Sequence, residues 1–371
     1  MIKKILALIV FCLLIFGIYY FFNLKKEENF VQDKQKETEE QIILNRIKEK
    51  VSTMTLEEKI GQMLIIGLSG TELDARTKEM IEEYGVGGFN LLGRNIENRV
   101  QSKKLISDMQ SIAKIPLFIA TDQEGGNVIR FDFFEELTRQ VDIKSREQAK
   151  NVAEKRGEEL LSVGVNMNFA PVLDYVTDKK SYLYDRTFGA SPELIGDFGN
   201  AMIDGYISSG VIPVVKHFPG YGNISLDPHK KGVSISISKE ELEQNLFPFR
   251  EIIKENPLVP IMTAHIIVPI IDEKPATLSA KFLSEILRGE MGFEGVIITD
   301  DMEMASVGKD VAKESVEAVK AGADMIISTY TSKLHTDIFL ALRWAVLSGE
   351  ISQDRIDESV VRILRLKENL K

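Results

Sequence analysis

A chain of 371 residues holds one cysteine, Cys12, and four histidines: His217, His229, His265 and His335. A single thiol excludes an intrachain disulfide and a cysteine zinc cage. The histidines form no HExxH pair and no other ligand cluster, so neither a metal nor a cofactor is expected. Basic residues are in the minority, with 46 Lys and Arg against 56 Asp and Glu and a formal net charge of -10. No basic surface would draw phosphates, which argues against nucleic acid as a partner. No Gly-rich phosphate loop opens a helix after the first apolar run, which disfavours a dinucleotide fold.

The N-terminus stands apart from the rest. After Lys3 and Lys4, the stretch from Ile5 to Phe22 is an unbroken apolar run. As a helix, about eighteen residues would cover roughly 27 Å, enough for a bilayer core. The run ends in Gly17, Ile18, Tyr19, Tyr20, Phe21 and Phe22. It lacks the small-residue site of a cleaved signal peptide and has aromatics suited to the membrane interface. Residues 1–24 are therefore expected to form an uncleaved anchor that crosses the membrane through residues 5–22. The short basic tail favours an inside N-terminus, giving a single-pass protein of the cell membrane with its folded part outside. Residues 25–41, dense in charge and poor in apolar groups, read as a linker. Residues 42–371 are left for one folded unit, expected as a monomer.

Within that unit, Ile43, Ile47 and Val51 are spaced for one helix face, and Thr55 and Glu58 have capping-box spacing ahead of a short helix. Eight short apolar runs follow, separated by helical stretches: Met63–Leu68, Val86–Leu92, Pro116–Ala120, Gly164–Ala170, Val211–Val215, Pro260–Ala264, Gly295–Thr299 and Ala323–Ser328. Two helices, around Leu334–Leu347 and Gln353–Asn369, close the chain. Buried strands alternating with helices predict parallel β/α units. Their number predicts an α/β fold, a single (β/α)8 TIM-type barrel preceded by an N-terminal transmembrane helix.

Polar residues gather at one place in this pattern. Asp122, Asp174, Lys216, His217, His265 and Asp300 all fall at or just past the C-terminal end of a run. In a barrel that rim carries the active site, and burying so many charges merely to fill a core would be costly. After Lys216 and His217, Gly220 and Gly222 permit turns, and then come Asp227 and His229, two residues apart. A carboxylate beside an imidazole fixes the ring's tautomer and raises its basicity, a known arrangement for proton transfer. Read locally, a strand-end Lys-His pair is equally a satisfied salt bridge. Asp300, closing Val296–Thr299, could act as base, metal ligand or covalent nucleophile, with Asp301 as a structural neighbour. Arg130, Arg186 and Lys216 would hold a polar substrate and lower the pKa of Asp300. Cations nearly as numerous as carboxylates argue against a metal.

Seven motifs carry a resemblance. They are Asp122-Gln-Glu-Gly-Gly, Asn168-Phe-Ala-Pro-Val-Leu-Asp174, Arg186-Thr-Phe-Gly, Lys216-His-Phe-Pro-Gly, Asp227-Pro-His229, Thr263-Ala-His265 and Ile298-Thr-Asp300-Asp-Met. From about residue 50 to 370 the chain resembles glycoside hydrolase family 3, in its β-N-acetylglucosaminidase branch. The resemblance implies that Asp300 is the nucleophile of a covalent glycosyl-enzyme. It implies that His229, oriented by Asp227, is the acid/base on a loop. It also implies that Asp122, Arg130, Arg186, Lys216 and His217 grip the hydroxyls of the terminal sugar. The implied substrate is a cell-wall, peptidoglycan-type glycan with terminal N-acetylglucosamine. A histidine titrating near neutrality suits this work with little tuning.

Three residues depart from the branch. Tyr221 stands where His is usual, Pro228 where Ser or Thr is usual, and Asn127 where Arg is usual. Pro228 fixes its own φ and restricts Asp227 within the acid/base loop. Two other functions therefore stand beside the leading one: a wall-glycan binding protein with weakened catalysis, and a β-glucosidase or β-xylosidase.

Overall fold

Each of the eight apolar runs contains a buried strand. The structure, a computed structural model, describes residues 40–225 and 232–370. The chain divides into two units, Met1–Ser52 and Thr53–Lys371. The described part of the first is helical, α1 (40–53), with Ile43, Ile47 and Val51 along one face.

The second unit begins with a capped helix. The Thr55 amide donates to Glu58 Oε2 at 2.9 Å and the Thr55 hydroxyl accepts from the Glu58 amide at 3.2 Å. This reciprocal pair satisfies the first donors of α2 (Leu56–Gln62). The helices that follow are α3 (Ala75–Glu82), α4 (Arg99–Ile112), α5 (Arg146–Val163), α6 (Pro192–Ser209), α7 (Lys239–Glu255), α8 (Val311–Ala321), α9 (Ser332–Leu347) and α10 (Gln353–Lys367). The strands are β1 (Leu64–Gly67), β2 (Gly88–Leu91), β3 (Phe118–Thr121), β4 (Met167–Asn168), β5 (Ile212–Pro213) and β6 (Val215–Phe218). They continue with β7 (Val233–Ser234), β8 (Ile261–Thr263), β9 (Ile266–Val268), β10 (Asp272–Pro275), β11 (Ile297–Asp301) and β12 (Met325–Ser328).

The sequence-based expectation of the fold is corrected in two respects. The main sheet has nine strands, ordered β5-β4-β3-β2-β1-β12-β11-β8-β6, rather than eight. All its pairings are parallel, and its two ends, β5 and β6, are consecutive on the chain, so the ring is nearly closed. The physical reason lies at Pro213, which has no N–H to donate toward β8. The Val214 amide bonds the carbonyl of Asn168 on β4 at 2.9 Å, and only at Val215 does an amide reach Pro260, at 3.0 Å. The fifth run therefore pairs first with one neighbour and then with the other. A second sheet, β10-β9-β7, lies in the stretches between barrel strands.

The expected transmembrane helix is the other correction. Among the described residues no helix is long and apolar enough to cross a membrane. The run at residues 5–22, the anchor at 1–24 and most of the linker at 25–41 lie outside the described residues.

Strand interiors are fully buried: Ile65, Phe89, Ile119, Ile297 and Ile298 have no accessible surface. Such strands, covered on both faces, read as continuous apolar runs rather than alternating ones. Close helix packing accompanies them. A Cβ on Gly157 would strike the Ser209 hydroxyl, and one on Gly205 would strike the Lys150 carbonyl, so both glycines let α5 and α6 approach.

Candidate active site

The rim is assembled from strand ends and the loops that follow them. β3 delivers Asp122, and the chain then doubles back. Gln123, fully buried, accepts from the amides of Arg130 at 2.8 Å and Phe131 at 3.1 Å. Gly125 makes this turn possible with φ of 88°, in the left-handed region that favours glycine. The fold-back brings Arg130 Nη2 to 3.5 Å from Asp122 Oδ2. Asn168 on β4 grips the same segment from the other side, accepting the Gln123 amide and donating to its carbonyl, both at 2.9 Å. Arg156 of α5, itself buried, donates to the Glu124 carbonyl at 2.8 Å.

β6 delivers Lys216 and His217. Lys216 Nζ lies 2.8 Å from Asp122 Oδ1 and 2.6 Å from Glu124 Oε1. Arg186, on the loop before α6, meets Glu124 with two bonds, Nε to Oε2 at 2.9 Å and Nη2 to Oε1 at 2.8 Å. Burial alone would push the Glu124 carboxyl up, but Arg186 and Lys216 outweigh it and hold Glu124 well below the usual carboxylate range. Asp122 is lowered in the same way: burial is outweighed by Lys216 and Arg130. Burial would strip the proton from Lys216, yet Asp122 and Glu124 raise its pKa above the ordinary value.

Asp174, fully buried, locks the next stretch. It accepts from His217 Nδ1 at 2.7 Å and from the Tyr221 amide at 2.6 Å. With the carboxylate as acceptor, Nδ1 carries the proton, and Nε2 faces Arg186 Nη2 at 3.5 Å. Tyr221, one of the three departures, is buried, and its hydroxyl accepts from the His265 amide at 3.2 Å. Burial, then the nearby Asp300 charge, pushes the Tyr221 phenol well above its ordinary value. His265 in turn meets the Asp301 carbonyl at 3.0 Å through Nε2.

Asp300 and Asp301 end β11. Asp300 Oδ1 accepts from the Asp301 amide at 2.8 Å. Asp301 accepts from the Thr329 hydroxyl and from the Glu303 amide. Burial, only partly offset by these two bonds, pushes Asp301 up to about 7. The three cations expected to hold a polar substrate, Arg130, Arg186 and Lys216, pair in the structure with Asp122 and Glu124.

A cavity of about 430 Å³ opens here. Asp122, Arg130, Arg186, Lys216, His217 and Asp300 all line it, together with Glu124, Asn127, Asp301 and Tyr330. Asp174 and His265 support it from behind. His229 and Asp227, and with them Pro228, lie outside the described residues. Glu124 was missed as a site residue, although it sits two positions past Asp122 in the first motif. Asn90 and Thr329 also line the cavity, and nothing in their local sequence marks them. Two polar atoms of lining residues, Asn90 Oδ1 and Arg130 Nε, are buried without a partner among the described residues.

A parallel α/β ring whose strand C-termini carry paired charges around an open cavity defines a barrel enzyme. Comparison with known proteins specifies the kind. Residues 55–366 match the family described as Glycosyl hydrolase family 3 N terminal domain. A beta-hexosaminidase of Tolumonas auensis is 38% identical over 274 residues, covering 71% of this chain and 82% of that one. A beta-hexosaminidase of Nitrosomonas eutropha is 32% identical over 322 residues, covering 82% and 92%. A solved glycoside hydrolase family 3 beta-N-acetylglucosaminidase from Paenibacillus superposes with a TM-score of 0.82 at 36% identity. That match covers 85% of this chain and 63% of the Paenibacillus chain, so this chain spans less than two thirds of that protein. The chain belongs to glycosyl hydrolase family 3, in its β-hexosaminidase branch, and is a glycoside hydrolase.

Proposed function

We propose that the chain removes terminal β-linked N-acetylglucosamine from cell-wall, peptidoglycan-type glycans with retention of configuration. The observation that carries this reading is that Asp300, with one carboxylate oxygen bonded to the neighbouring amide, lines the same cavity as the paired cradle of Asp122, Glu124, Lys216 and Arg186. The cradle's fixed donors and acceptors suit sugar hydroxyls, and Arg130 and His217 extend it. The names of the relatives supply the N-acetylhexosamine.

In the first step the Asp300 carboxylate attacks the anomeric carbon while the glycosidic C–O bond breaks. His229, oriented by Asp227, gives its proton to the departing oxygen. In the second step His229 takes a proton from water, the water oxygen bonds the anomeric carbon, and Asp300 leaves. A carboxylate and a histidine thus share the work of the usual two carboxyl groups.

Proton magnetic resonance of aryl β-N-acetylglucosaminide hydrolysis tests the reading. The β-anomer of N-acetylglucosamine is expected to form first and then to mutarotate. His229→Ala should slow substrates with poor leaving groups far more than activated aryl glycosides, which need less protonation. Equal losses on both would remove the acid role. No turnover with intact N-acetylglucosamine binding would leave a glycan-binding protein.

A further inference from the structure

The cavity has a buried floor and an exposed lip. Glu124 and Lys216 are each 1% exposed, whereas Tyr330, lining the same cavity, is 65% exposed. Tyr330 sits in the loop between β12 and α9. Its position there is fixed. Its amide donates to Glu303 Oε1 at 2.8 Å, and the same oxygen accepts from the Ser328 hydroxyl at 2.8 Å and the Thr331 amide at 3.1 Å. Arg94 lies over the ring, its Cζ 5.2 Å from the centroid. Arg94 is itself tied to two loops, donating from Nε to the Leu68 carbonyl at 3.1 Å and from Nη2 to the Thr329 carbonyl.

A large aromatic ring on a backbone tied down in this way, with a cation against it and most of the residue open to water, is a flat and preorganised surface. The sugar that Asp300 attacks has to sit among the buried groups of the floor. The leaving oxygen, and whatever it carries, then has to point outward across the lip. We propose that Tyr330, backed by Arg94, is the stacking platform of a leaving-group subsite that takes the second pyranose ring of the substrate. The C–H face of a β-linked pyranose lies against the negative face of the ring. The inference rests on the glycosidase reading above and adds what that reading leaves open, namely what holds the departing saccharide.

The test compares a one-ring and a two-ring ligand on the full chain. In the Asp300→Ala protein, calorimetry measures the affinities of N-acetylglucosamine and N,N′-diacetylchitobiose. The second ring is expected to add roughly 3- to 10-fold in affinity. Tyr330→Ala should erase that difference, and Tyr330→Phe, which keeps the ring, should retain it. In the active protein, the ratio of kcat/KM for diacetylchitobiose over that for β-N-acetylglucosaminyl azide should fall by the same factor in Tyr330→Ala. Equal weakening of both ligands, or a two-ring advantage that survives in Tyr330→Ala, overturns the proposal. Failure of the wild type to turn over either substrate would remove the glycosidase reading, and the binding difference would still decide the subsite.

Discussion

At the rim, Asp122 and Glu124 meet Lys216, Arg186 and Arg130; at the opposite end of the barrel, Asp324 meets Arg288, Arg355 and Arg362. Both clusters bury carboxylates among cations, and both hold their carboxylates ionised against burial. They differ in what is left over. Asp324 Oδ1 accepts from Ser359 at 2.7 Å, Arg362 at 3.1 Å and Arg355 at 3.3 Å. Its Oδ2 accepts from Arg288 at 2.6 Å and the Ile297 amide at 2.9 Å. Arg288 also donates to the carbonyls of Phe293 and Gly295, and Arg355 donates to that of Ala323. Burial, helped by the two neighbouring guanidiniums, brings Arg288 down to about 10. That end is saturated and clasps α10 to the barrel. The rim faces an open cavity, with Asn90 Oδ1 and Arg130 Nε unmatched among the described residues. A buried charge cluster alone does not mark an active site. Polar capacity left facing a cavity does.

The sharpest way to break this comparison is to remove one acid from each end. Asp300→Ala should lower kcat by roughly 10⁴-fold or more, as loss of a nucleophile does, with a melting temperature close to wild type. Single-turnover kinetics beside thermal melts would show it. Asp324→Ala should do the reverse. Three guanidiniums would lose their shared counter-ion, which costs roughly 3–5 kcal/mol by denaturant titration. The protein that stays folded should keep its kcat.

Asp301 offers a finer probe, because it lies at the rim yet behaves as a structural group. Its folded pKa of about 7 exceeds the usual 3.8. Between those values the folded chain holds more protons than the unfolded one. Asp301 therefore subtracts stability progressively as pH rises from about 4 to 7, and in full above 7. Asp301→Asn can still accept from the Glu303 amide and can donate to the Thr329 hydroxyl. It should be more stable than wild type at pH 8 by on the order of 2 kcal/mol, with the advantage fading toward pH 4 in parallel melts. The smallest effect is expected from Tyr221→Phe. It leaves the buried His265 amide without its acceptor and should cost about 1 kcal/mol by urea titration.

Much of the architecture was legible because buried parallel strands are continuously apolar and end abruptly in charge. Each run contains a strand, and Thr55 with Glu58 starts the first barrel helix as its spacing indicated. The split at Pro213 was not legible as a split, since a proline without an N–H reads the same whether a strand bends, ends or changes neighbours. The small sheet of β7, β9 and β10 escaped notice because its strands are two to four residues long. At the site, strand-end residues such as Asp122, Lys216, His217 and Asp300 could be read, because position in the repeat announces the rim. Glu124 could not, because its role depends on Lys216 arriving from β6 and Arg186 from the distant loop before α6. Tyr330 could not either: an aromatic just after a strand reads as core until its exposure is seen.

The bond between Lys216 and Asp122 joins residues 94 apart in the chain, and Asp174 reaches His217 across 43. Contacts of such span form only after long loops have closed, so they are expected to come late in folding. The cradle is thus a reporter of ring closure. A partly folded chain holding β1 to β4 would contain Asp122 and Glu124 but no partner cations from β6. In a refolding experiment, recovery of sugar binding should lag behind recovery of helical signal, and its rate should be that of closing the whole ring.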